Sequence, residues 1–147
     1  VKFRWIWWAL VVAWCIQIFY FTALPVYNDE HTRGFLTNIL GDIFPKDSSG
    51  IGIIDYLIRK AAHVTVFGIL AVLFKTALNK RPRAYQFAWL FTAIYAATDE
   101  WHQAYVPGRT SSVFDVMIDS VGAFIFLLCL FFWKKRKKAK IGPEALA

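Results

Sequence analysis

Asp99, Glu100, His102 and Gln103 stand together in one stretch, Asp115 and Asp119 in a second, and Arg59, Lys60 and His63 in a third, with Arg109 between the first two. If each stretch is helical, Lys60 and His63 share a face, as do Asp99, His102 and Gln103, and as do Asp115 and Asp119, because residues three or four apart are neighbours on a helix. Histidine and carboxylate together are ligands for a divalent metal ion, and His63, Asp99, His102 and Asp119 form the candidate set. Such an ion would polarise a phosphoryl or ester oxygen and lower the pKa of a bound water. Glu100 is then the candidate general base. Lys60 and Arg109 would grip phosphate oxygens, the guanidinium in a two-point contact, with Gln103, Asp115 and Asp119 completing the substrate contacts. Without a metal, His63 or His102 could attack phosphorus directly while an acid orients the ring. Duller roles exist for the same residues. Asp115 follows Ser112 by three positions, as in a helix capping box. Arg109 could snorkel to headgroups. Asp99, Asp119 and His63 could be a structural network tying helices together.

The elements that carry these residues are membrane helices. In 147 residues, 58% are apolar and 18% charged, against about 45–50% and about 25% in a soluble domain, and mean hydropathy is +0.44. Disorder, a coiled coil and a disulfide-stapled module are excluded. Cys15 and Cys129 both sit in apolar runs, at depths that argue against a disulfide. Four stretches reach the roughly 20 residues that a bilayer-crossing helix needs: 5–24, 57–77, 84–103 and 113–133. The expected fold is therefore all-α, a four-transmembrane-helix bundle over 1–133 followed by a basic cytoplasmic tail over 134–147. The first span, preceded by Lys2 and Arg4, reads as an uncleaved anchor rather than a signal peptide.

Twelve of the 17 basic residues fall before the first span, between the second and third, or after the fourth. By the positive-inside rule this side, with both termini, is cytoplasmic. Nine of the ten acids lie toward the other side, Glu144 excepted, so the polar site faces outward. The tail abuts Trp133 and reads as a stop-transfer anchor on anionic lipid, with no nucleic-acid partner. Trp5, Trp7, Trp8 and Trp133 make an inner aromatic belt, and Trp101 lies near the outer edge. In the first extracytoplasmic loop, Phe35, Leu36, Ile39, Leu40, Ile43 and Phe44 recur at helical spacing, predicting a short interfacial helix, followed by a turn-rich connector over 45–50.

Residues 96–122, AATDEWHQAYVPGRTSSVFDVMIDSVG, resemble the VanZ-like family of small bacterial membrane proteins, whose pattern has D-E-x-x-Q, then P-G-R, then an aspartate on the next helix. Upstream, RKAAHVTVFGIL resembles that family's K-x-x-H-x-x-x-F-x-x-L segment through Lys60, His63, Phe67 and Leu70. IFYFTALP at 18–25 resembles its first-helix ending, with Thr22-Ala23-Leu24 where Ser-Ser-Gln is more usual. Asp119 stands where the family commonly has Asn. The resemblance implies a multi-pass protein of the bacterial cytoplasmic membrane with an envelope role, since the family is named for a protein associated with resistance to teicoplanin-type glycopeptides. It implies no particular reaction.

Two functions remain open. One is an enzyme, a hydrolase or transferase acting on an outer-leaflet lipid headgroup, with a divalent metal ion as cofactor or with none. The other is a binding protein for a lipid-linked phosphate or lipoglycopeptide that limits antibiotic access without turnover. A transporter ranks last, because the inner halves of the spans have almost no ionisable groups to form a path.

Overall fold

A computed structural model of the chain describes residues 4–24, 29–40, 49–79, 81–107, 109 and 111–141. Lys2, Ile43, Phe44, most of the connector after them, Lys80, Gly108, Thr110 and Glu144 lie outside the described residues. The described chain is helical throughout, as expected: α1 (Arg4–Ala23), α2 (Asp29–Leu40), α3 (Ser49–Leu78), α4 (Ala84–Gln103) and α5 (Val113–Ile141).

Three of these helices, α1, α3 and α5, are long and apolar enough to cross a membrane. α4 matches α1 at 20 residues, but the polar cluster in its last turn leaves it short of that standard by composition alone. α3 begins at Ser49, eight residues before the expected span. Its 30 residues make a rod of about 45 Å, longer than a hydrocarbon core of about 30 Å. α5 likewise continues without a break through Lys134–Lys138, whose long side chains are good helix formers. Cys15 and Cys129 are both free thiols.

α3 packs against every other helix, while α1 and α5 flank the α3–α4 pair. Successive long helices run antiparallel. At one end the rings of Trp8 and Phe74 meet, as do those of Tyr85 and Phe131. At the other, Thr22 reaches Asp99 and Lys60 reaches Asp115. Small side chains make the close approaches, as expected where membrane helices associate by packing: Ala71, Ala84, Ala88 and Ala123 are buried together with Leu78 and Leu127. A second cluster joins Val11 and Ile18 of α1 to Phe67, Leu70 and Ala77 of α3 and Ala96 of α4.

Two glycines serve as sockets between α3 and α5. A Cβ on Gly68 would stand 2.5 Å from the Phe126 ring, and one on Gly122 would stand 2.9 Å from the Val64 side chain and 3.1 Å from its Cα. Each helix thus receives one side chain from the other.

The basic end is closed by a tight turn. Asn79 and Arg83 both adopt left-handed backbone geometry, and Lys75 donates from Nζ to the Asn79 carbonyl at 3.2 Å, capping α3 with a cation above the Tyr85 ring. At the opposite end α2 docks on the start of α3. The Arg33 guanidinium lies over Gly52, where a Cβ would come within 2.7 Å of it. Phe35 and Ile39 of α2 are exposed, while Leu36 and Thr37 are half-buried.

Candidate functional site

The last turn of α4 and the first turns of α5 hold the acids, and the connector between them folds back onto α1. Ser112 caps α5, accepting at Oγ from the Phe114 N–H at 3.1 Å. The other half of the expected capping box is absent, because Asp115 turns instead to an ion pair with Lys60 of α3. A carboxylate from the neighbouring helix takes that place: the Ser112 N–H donates to Glu100 Oε2 at 2.9 Å. Glu100 thereby ties α4 to the positive end of α5.

Asp99 and Glu100 are adjacent in sequence and face different partners. Asp99 accepts from the Thr22 hydroxyl at 2.8 Å and from Gln103 Nε2 at 2.7 Å, one bond to each oxygen. It joins α1 to α4 and is 4% exposed. Thr22 is not among the expected site residues; its hydroxyl near the end of an apolar span is the available signal. His102 lies on another side of α4, its ring 4.3 Å from that of Phe19. There it lines a largely apolar cavity of about 370 Å³ with Tyr95, Trp101 and Tyr105. The structure therefore does not bring His102 to His63.

His63 of α3 faces α5. Its Nδ1 is 3.4 Å from Asp119 Oδ2, and the Phe67 ring stacks beneath it. Among the described residues, His63, Glu100 and Asp119 each place one ligand atom within 4.8 Å of the other two, a spacing suited to a shared cation. Glu100 takes the place in this group that the spacing pattern assigned to Asp99 and His102. Both of its carboxylates keep one buried oxygen without a hydrogen bond, Glu100 Oε1 and Asp119 Oδ1.

In front of His63 lies a cleft of about 420 Å³ between α1 and α3. Trp14, Ile18, Val66 and Phe67 make its apolar length. Arg59, Lys60 and Arg109 surround its polar end, where Gln103 and Asp115 also contribute. The Trp14 indole donates to the Val66 carbonyl at 3.1 Å, fixing the floor between the two helices. Arg109 reaches across the top of α1 and donates to the Phe21 carbonyl at 3.0 Å. Burial pulls its guanidinium below the ordinary value, while the carboxylates of Asp99 and Glu100 oppose that shift, and it remains a cation. Arg59 is paired with Asp55 at 3.2 Å. Asp55 is almost wholly buried and lies in the unexpected early turns of α3; the four-residue spacing to Arg59 was its only sequence signal.

The chain matches the VanZ/LLP1 family model over residues 7–134. No curated protein and no solved structure matches it. The family match takes in α3 and α4 whole, most of α1 and α5, and every residue of the cleft and of the His63–Glu100–Asp119 group, in line with the motif resemblance in the sequence. This chain is a member of the VanZ/LLP1 family.

Proposed function

We propose that this protein binds a phosphate-bearing envelope lipid in the α1–α3 cleft and acts on its headgroup by hydrolysis or transfer. The observation that carries the reading is the cleft itself, apolar along Trp14, Ile18, Val66 and Phe67 and cationic at its end through Arg59, Lys60 and Arg109. An amphiphile with an anionic head matches that pattern: the chain lies along the helices and the phosphate meets the guanidinium and ammonium groups. His63 stands in the wall beside the phosphate position, backed by Asp119 and Glu100, which makes this group the reactive centre.

The reading includes an orientation. Lys75, Arg81, Arg83 and Lys134–Lys138 crowd the end opposite the acids, so the basic end is cytoplasmic and the cleft faces outward. α4 spans the membrane as well, third of four spans in chain order, with Phe87, Trp89, Leu90, Phe91 and Ile94 exposed along it, and the outward faces of Phe35 and Ile39 lay α2 in the outer interface. The family is linked to antibiotic resistance. Changing an outer-leaflet headgroup is how this chain would alter the access of a teicoplanin-type glycopeptide to the membrane.

The test is turnover by the detergent-purified protein on a panel of phospholipids and polyprenyl phosphates, read by mass spectrometry beside His63→Ala. A product made by wild type and lost in the variant is the expected result. No product, with a lipid retained by wild type and not by Arg109→Ala, replaces the enzyme with a binding protein.

A further inference from the structure

We propose that His63, Glu100 and Asp119 form a binding site for one divalent transition-metal ion, zinc or manganese. Three independent features lead there. The first is geometry, an imidazole and two carboxylates from three different helices with ligand atoms within 4.8 Å of one another. The second is the pair of orphaned oxygens. Glu100 is 4% exposed and Asp119 1% exposed, yet Oε1 of one and Oδ1 of the other have no hydrogen-bond donor. Buried carboxylate oxygens are normally satisfied, and a cation satisfies both at once.

The third feature is charge. Among the described residues, two nearby cations are paired with other acids, Arg59 with Asp55 and Lys60 with Asp115, while Arg109 donates to the Phe21 carbonyl. Of the ionisable cations only His63 approaches Asp119 directly, Lys60 and Arg109 acting on Asp119 and Glu100 from farther off, and Asp99 adds a third buried acid whose charge is felt at the same place. A doubly charged ion balances two carboxylates in surroundings where an unbalanced charge is expensive. The imidazole selects the metal class, since magnesium and calcium favour all-oxygen shells. Three protein ligands also leave a coordination position open, as catalytic sites do. That position would take a phosphate oxygen of the lipid, a step that rests on the headgroup reading; the metal site does not.

The experiment uses the full chain in detergent, stripped with chelator and then titrated with Zn²⁺ and, separately, Mn²⁺ by calorimetry. Cobalt absorption reports the ligand set. One equivalent of zinc or manganese is expected to bind and to raise the melting temperature. Glu100→Gln, which keeps an oxygen for the Ser112 N–H, and Asp119→Asn should each weaken binding by about tenfold or more, with helical circular dichroism unchanged. Asp99→Asn should keep the ion, because its carboxylate lies outside the group. If Asp119→Asn does not fold, Glu100→Gln alone decides. Absence of binding by wild type, or wild-type affinity in Glu100→Gln, overturns the site. Metal bound without turnover of any lipid leaves the site standing and removes the headgroup chemistry instead.

Discussion

Asp99 and Asp119 are both buried carboxylates at the polar end of one bundle, and their surroundings differ in a single respect. Each oxygen of Asp99 receives a hydrogen bond, from Thr22 and from Gln103. Asp119 shares one oxygen with His63 and leaves the other unmatched, as Glu100 does beside it. Asp99 has both oxygens engaged by neighbouring side chains, so it reads as a lock between α1 and α4. An unsaturated pair facing a histidine keeps its capacity for a cation or a substrate. Burial therefore does not distinguish the two acids; the state of the second oxygen does.

The largest separation between the two should come from His63→Ala. Turnover by the folded protein is expected to fall by about two orders of magnitude or more, beside a loss of about 1–3 kcal/mol in thermal melting from stranding Asp119; unchanged turnover in the folded fraction would make His63 part of a lock instead. Asp99→Ala should behave in the opposite way. It strands the Thr22 hydroxyl and the Gln103 amide, costing about 1–3 kcal/mol, visible in thermal melting, while the folded fraction keeps its activity. Gly122→Ala tests whether helix spacing governs the unsaturated site. Overpacking against Val64 should cost about 1–3 kcal/mol and lower turnover in the protein that remains folded, since Val64 adjoins His63 and Gly122 is one turn from Asp119.

Smaller effects belong to the rim. Arg109→Lys should weaken binding of a polyprenyl phosphate to a measurable degree in a flotation or calorimetric assay, because the planar two-point contact is lost; unchanged affinity would remove Arg109 from the clamp. The Lys60–Asp115 pair is partly exposed on both sides, and a double-mutant cycle on stability should return no more than about 1 kcal/mol.

Much of this architecture is legible in the sequence, and the exceptions have physical causes. The apolar runs place α1 and α4 to within a residue at each end, and the i, i+3 and i+4 spacings find the helix faces that meet. The early start of α3 is not signalled because Ser49–Tyr56 mixes polar and apolar residues without a long apolar run, and its packing partner there is α2. α5 runs on past Trp133 because a basic run signals the membrane boundary and says nothing about where the helix stops. The harder loss concerns rotation. Asp99, Glu100 and His102 lie within one turn of α4, about 100° apart per step, and only the packing of α4 against its neighbours decides which one faces α1 and which faces α3 and α5. The spacing pattern points to Asp99 and His102; the packed helix turns Glu100 inward instead.

The reciprocal sockets at Gly68 and Gly122 have a consequence for how alignment is stored. Val64 and Phe126 are seated like two teeth of a gear, so α5 cannot slip along α3 by even one residue's rise without driving a ring into backbone. The register of His63 against Asp119 is thus written in the shape of two contacting surfaces rather than in the connecting loops. Two pieces of this chain, severed between Leu78 and Ala84 and expressed together, should find the same alignment again.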